Sequence, residues 1–178
     1  TAATNAFVDD LIKYLNKNNK KTVIDADAIN VLSKSELSSF PSDSVITPHP
    51  VELSRLINTP VKDIQNDRIK YAKLTAEKFG CCVVLKGNQT VVCTKDLEAF
   101  VNTSGNSALA KAGSGDVLTG IISGLMAQAV SVENAAKLGV YLHGLCGELA
   151  SQDLSLYSVL ATDQIDYIPQ AIKKILEA

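Results

Sequence analysis

Five consecutive apolar residues, Cys81-Cys-Val-Val-Leu85, stand between Gly80 and Lys86-Gly87. Successive side chains on a strand point to opposite faces, so a run that is apolar throughout belongs to a central strand covered on both sides. Lys21-Thr-Val-Ile-Asp25 and Ser44-Val-Ile-Thr47 read as two further short buried strands. Val91-Val-Cys-Thr94 resumes strand composition, and Glu98-Ala-Phe-Val101 reads as one more short strand.

Helical spacing fills the intervals. Phe7, Leu11, Ile12 and Leu15 mark an amphipathic helix over about residues 5–18. Pro50 opens a helix through Leu56. Val61 to Phe79 reads as one long charged helix with Ile64, Ile69, Ala72, Leu74 and Ala76 on its inner face, ended by Gly80. Gly115–Gln128 and Val132–Ala150 are two more helices, rich in small residues that permit close packing. Thr162 caps a final helical segment, broken or restarted at Pro169 and running to Leu176. With no repeats or linkers, residues 1–178 read as one α/β domain with a largely parallel sheet.

A net charge of −2 carries no basic excess for a nucleic-acid partner. The richest apolar window, Leu138 to Cys146, is too short to span a bilayer. Asp9 and Asp10 near the start, without an apolar signal core, argue against secretion. Cys81, Cys82, Cys93 and Cys146 lack metal-ligand spacing and read as buried free thiols of a reducing cytoplasm. The chain opens at Thr1 without an initiator methionine and reads as a processed or partial chain.

Polar residues collect where the strands end. Asp25-Ala-Asp27-Ala-Ile-Asn30 follows the first strand, and ligands of open α/β sheets bind at that edge. Asp27 reads equally as a helix cap. Pro48 and Pro50 hold His49 in a stiff extended setting, as a functional residue or a satisfied structural donor. Lys86 closes a buried strand beside a flexible glycine, placed to reach an anion or simply exposed in a turn. Gly113, Ser114 and Gly115 form a small-residue turn feeding the helical pattern Val117, Leu118, Ile121, Ile122, Leu125. The unpartnered N–H groups of such a helix start suit a phosphate, with Asp116 in the first turn. His143, on a mostly apolar helix, reads as a buried structural histidine.

Asp25-Ala-Asp-Ala-Ile-Asn, Thr47-Pro-His-Pro, Val84-Leu-Lys-Gly-Asn-Gln-Thr-Val-Val, Gly113-Ser-Gly-Asp-Val-Leu-Thr-Gly and Ala161-Thr-Asp163 stand in one order. Together they resemble the ADP/ATP-dependent NAD(P)H-hydrate dehydratases of the ribokinase-like superfamily, over essentially the whole chain. The resemblance implies a three-layer α/β/α fold lacking its N-terminal part. It implies repair of hydrated NADH or NADPH at the expense of ADP or ATP, with release of AMP or ADP and phosphate. It assigns Lys86, Gly87, Asn88, Gln89, Thr90 and Gly115 to the nucleotide, and His49, Asn106 and Asp116 to the hydrated substrate. Gly113, Ser114 and Gly115 become the anion hole and Asp116 the base, with Mg2+ assisting through ligands that the sequence leaves unnamed. Implied partners are an NAD(P)HX epimerase and either further copies of the chain or an N-terminal segment to cover the strand at Thr22–Asp25. A vitamin-precursor kinase of the same superfamily and a non-catalytic nucleotide-binding relic are the alternatives. Three features depart from the family pattern: Val51 where glycine follows Thr-Pro-His-Pro; the run Ser107–Ala112, whose Lys111 adds a phosphate contact or points to solvent; and the length, since members of the family are considerably longer and the missing part is N-terminal.

Overall fold

The computed structural model describes residues 2–35 and 39–177; Thr1, the chain start remarked on above, lies outside them. The chain divides into two compact units, Thr1–Val101 and Asn102–Ala178.

The first unit is built on five strands, β1 (Thr22–Ile24), β2 (Ser44–Ile46), β3 (Cys82–Leu85), β4 (Val91–Cys93) and β5 (Ala99–Val101), paired in sequence order. β1, β2 and β3 run parallel, β4 pairs antiparallel with β3, and β5 pairs antiparallel with β4. The sheet is therefore mixed rather than largely parallel. Connection length decides this: residues 86–90 allow a hairpin but no crossover, which takes a dozen residues or more. Every residue of β3 is buried, as its unbroken apolar run requires.

Helices α1 (Ala2–Lys17), α2 (Asp27–Leu32), α3 (Pro50–Ile57), α4 (Val61–Asn66) and α5 (Arg68–Phe79) complete this unit. Their apolar faces join one core around Ile24, Ile46, Leu53, Ile64, Val83 and Leu85. Each such side chain, fully buried, contributes roughly 1.5–3 kcal/mol over exposure. Phe40 stacks on Phe79 with ring centroids 4.6 Å apart. On α1 only Ile12 of the expected apolar face is fully buried, and Phe7 remains 65% exposed.

The expected long helix over 61–79 is two helices. Asp67 leaves helical geometry at φ −145° and ψ 74°, and its side chain accepts the Lys70 N–H. That break rotates the inner face, so Ile69 and Leu74 are exposed while Thr75 and Phe79 join Ala72 and Ala76 inside. Asp27 opens α2 at its first position without a side-chain capping bond.

The second unit contains a 3-10 turn at Ser107–Leu109 and helices α6 (Ser114–Ala127), α7 (Val132–Leu154), α8 (Ala161–Asp166) and α9 (Ile168–Leu176). Ile121, Leu142, Leu145, Cys146 and Ala171 form its main apolar cluster. Gly139 lets α6 and α7 approach: a Cβ there would lie 2.7 Å from Ile122 Cγ1. The cap of α8 is Leu160, not Thr162, because the Asp163 carboxylate reaches back to the Leu160 N–H at 2.7 Å. The chain breaks at Tyr167 and restarts with Pro169 in the first turn of α9, where its missing N–H costs nothing. Among the described residues no helix is long and apolar enough to cross a membrane.

Candidate functional site

Three parallel neighbours must end side by side, and here each ends in a polar residue. The Thr47 N–H donates to the Ile24 carbonyl at 3.1 Å and the Lys86 N–H to the Pro48 carbonyl at 2.8 Å, extending both ladders to this edge. Asp25, His49 with Glu52, and Lys86 are thereby gathered. Lys86 Nζ sits 2.7 Å from Asp25 Oδ1 and 3.9 Å from Glu52 Oε2. The Asp25 and Lys86 side chains are only 10% and 20% exposed, so this pair is shielded from solvent screening. Lys86 thus turns inward to carboxylates instead of lying loose in a turn.

His49 caps α3. Its Nδ1 accepts N–H bonds from Val51 (3.1 Å) and Glu52 (3.2 Å), and Glu52 Oε2 accepts the His49 N–H at 2.8 Å. The reciprocal pair is a capping box with histidine in the usual serine position. Accepting through Nδ1 places the ring proton on Nε2, which lies 3.3 Å from Glu52 Oε1. The histidine thus caps α3 through Nδ1, and its ring remains half-exposed.

The hairpin Lys86–Thr90 carries Gly87 at φ +147° and Gln89 at φ 54°. Thr90 Oγ1 donates to the Gly87 carbonyl at 3.0 Å. Arg68, from the first turn of α5, grips the same loop. Its Nη2 donates to the Leu85 carbonyl at 2.7 Å, and its Nη1 donates to the carbonyls of Asn88 and, at 3.3 Å, Gln89. Burial pulls the Arg68 pKa below its ordinary value. A helical arginine carries no motif in the sequence, and the break at Asp67 that turns Arg68 toward the loop is visible only in the fold.

In the second unit Gly113 precedes α6 at φ 86°, a conformation that glycine adopts freely. The Ser114 N–H turns back to the Lys111 carbonyl and the Val117 N–H to the Gly113 carbonyl. Among the described residues the N–H groups of Gly115 and Asp116 between them make no such backbone bond, leaving two donors at the positive end of a fourteen-residue helix. Asp116 is exposed, and among the described residues its carboxylate has no hydrogen bond or ion pair. Below it runs an apolar groove of about 530 Å³ with Gly120, Gly124, Leu125, Ile168 and Ile172 in its walls.

Asn106 caps the 3-10 turn: its Oδ1 accepts the Ala108 N–H and its Nδ2 donates to Ser151 Oγ, both at 2.9 Å. Lys111 Nζ donates to the Tyr157 carbonyl at 2.9 Å. His143 is buried, with Nε2 3.1 Å from Ser114 Oγ and 2.9 Å from Gln164 Oε1. Burial holds its pKa below the usual histidine value, opposed in part by the bonds to Gln164 and Ser114. All four cysteines are buried and outside any disulfide, and desolvation pushes the Cys146 thiol up to about 11.

A family model described as NAD(P)H-hydrate dehydratase matches residues 3–170. The bifunctional NAD(P)H-hydrate repair enzyme Nnr of Moorella thermoacetica is 38% identical over 174 residues, covering 97% of this chain and 33% of that protein. The crystal structure of ADP/ATP-dependent NAD(P)H-hydrate dehydratase from Bacillus subtilis, co-crystallized with ATP/Mg2+, is 36% identical with a TM-score of 0.83, covering 92% of this chain and 58% of that one. A ribokinase-like superfamily protein from Enterococcus faecalis superposes with a TM-score of 0.83 at 30% identity, over 98% of this chain and 59% of its own. The chain thus spans between a third and three-fifths of the length of these relatives.

Proposed function

The chain belongs to the NAD(P)H-hydrate dehydratase family, and on that premise we propose that its two units form the C-terminal part of a ribokinase-like domain that restores hydrated NADH or NADPH. The co-substrate is ADP or ATP; the family resemblance assigns it to Lys86–Thr90 and Gly115, and assigns the hydrated nicotinamide to His49, Asn106 and Asp116. The observation that carries this reading is the exposed Asp116 carboxylate, unpartnered beside the open N–H groups of Gly115 and Asp116.

A carboxylate so placed takes the proton from the substrate hydroxyl as that oxygen attacks the terminal phosphorus of the nucleotide. The bond from that phosphorus to the bridging oxygen breaks, and AMP or ADP leaves. The turn's N–H groups meet charge on the transferring group. The ring nitrogen's lone pair then expels the phosphate ester as inorganic phosphate. Loss of a proton from the neighbouring ring carbon restores the double bond.

Mg2+ is commonly held by one or two carboxylates, with phosphates and water completing its shell. Asp25 and Glu52 already lie against the Lys86 ammonium, and among the described residues no group of three or more His, Cys, Asp or Glu could hold a metal ion, so the residues present do not form a Mg2+ site of their own. The ion would come with the nucleotide, supplying positive charge to its phosphates. The bifunctional relative suggests an epimerase as a functional partner, and self-association or a companion segment would cover the free edge of β1. Four buried cysteines outside any disulfide suit the reducing cytoplasm.

Incubating the protein with hydrated NADH and ADP or ATP, and following the return of reduced-nicotinamide absorbance with release of phosphate, tests the reading. Turnover supports it. Phosphoryl transfer to a vitamin-precursor alcohol, or nucleotide binding with no reaction of either kind, overturns it.

A further inference from the structure

We infer that Arg68 is the positioning residue of the nucleotide loop: from behind Lys86–Thr90 it pins three carbonyls and so turns the loop's N–H groups toward the bound phosphates. The inference rests on the assignment of that loop to the nucleotide.

The geometry comes first. Arg68 binds the carbonyls of Leu85, Asn88 and Gln89. In a planar trans peptide the C=O and the following N–H point in opposite directions. Carbonyls of Asn88 and Gln89 aimed at Arg68 therefore aim the N–H groups of Gln89 and Thr90 away from it. Successive N–H groups converging in a bend make an anion-binding concavity. Gly87 fits the same design, because a Cβ there would lie 3.0 Å from Arg68 Nη2 at a backbone angle that side chains rarely adopt.

Charge points the same way. Lys86 looks like the phosphate ligand in the sequence, yet its ammonium lies against Asp25 with Glu52 nearby, so its charge is already matched. Among the described residues Arg68 has no carboxylate partner, and its Nε is buried without any hydrogen-bond acceptor. The uncompensated positive charge at this hairpin is thus the guanidinium beneath it. Lysine is no substitute, since a point charge cannot hold three carbonyls in a planar fork.

Three variants, Arg68→Met, Arg68→Lys and Gly87→Ala, test this on the 178-residue protein with ADP as probe. Calorimetry reads affinity, amide hydrogen exchange reads Gln89 and Thr90, and melting reads the fold. Both arginine variants should weaken ADP by about 10- to 100-fold, the worth of charge-assisted hydrogen bonds. They should also speed exchange at Gln89 and Thr90 without ADP. Added free guanidinium should restore part of the affinity to Arg68→Met, and Gly87→Ala should weaken ADP in the same direction. Should Arg68→Met fail to fold, Arg68→Lys decides. ADP affinity within about twofold of the parent, with unchanged loop exchange, overturns the inference. If ADP leaves Gln89 and Thr90 unprotected in the parent protein, the loop assignment fails instead. Exchange in the ADP-free variants then still decides whether Arg68 orders the loop.

Discussion

The hairpin Lys86–Thr90 and the turn Gly113–Asp116 are both short glycine-bearing bends, and they are held in opposite ways. The hairpin is fixed by side-chain charge, with Arg68 beneath it and Lys86 drawn to Asp25 and Glu52. The turn is fixed by backbone geometry: Gly113 supplies the left-handed angle, two N–H groups fold back, and Asp116 is left unattached. Charge used to shape one bend is not free to react there. Charge left idle in the other has no structural duty to give up.

The largest expected effect sharpens this contrast. Asp116→Asn should lower dehydration of hydrated NADH by roughly 10²–10⁴-fold, measured by steady-state turnover in whichever assembly is active. The melting temperature should barely move, because the carboxylate has no partner to lose. Unchanged turnover, or a large drop in melting, would erase the distinction between the bends.

Lys86→Met takes the opposite course. Removing the cation leaves the Asp25 and Glu52 carboxylates facing each other with little solvent, at a cost of about 3–5 kcal/mol in denaturant unfolding. A loss below about 1 kcal/mol, the worth of an exposed pair, would show that Lys86 is not part of the frame.

A smaller effect depends on pH and belongs to the second unit. The pKa of His143 is lowered by burial, so the folded state resists the proton that the unfolded chain accepts. Its contribution is fully present above the unfolded value of about 6.5 and is lost as pH falls through that value toward the folded one. The slope of unfolding free energy against pH in this window should flatten in His143→Gln; an identical slope in the variant would remove His143 as its source.

Smallest is the cap on α3. His49→Ala should cost about 1 kcal/mol, and His49→Asn, which keeps a side-chain acceptor, should cost little. If His49 also meets substrate, both variants should raise KM alike. A KM that follows only the alanine variant would reduce the residue to a cap.

The strands and most helices were legible because their signals are local: an unbroken apolar run, a 3.6-residue period, a proline at the first turn. The mixed sheet was legible too, had the five residues between Leu85 and Val91 been weighed against the length of a crossover. The break at Asp67 was harder, since an aspartate is tolerated within a helix and only its bond to the Lys70 N–H makes it a cap. The bends of the candidate site stood out through their glycines. Their supports did not, because Arg68 lies 17 residues before Leu85 and Asp25 lies 61 before Lys86. Such pairings are fixed by topology, not by neighbouring residues.

The mixed sheet also orders events in time. β3, β4 and β5 join through two short turns, so their contacts close small loops and can form within microseconds of collapse. β1, β2 and β3 meet only after the intervening helices have been laid down, and such long-range parallel pairing is slow. The hairpin at Lys86–Thr90 therefore belongs to the early-folding side of the unit, and the carboxylates of Asp25 and Glu52 reach Lys86 last.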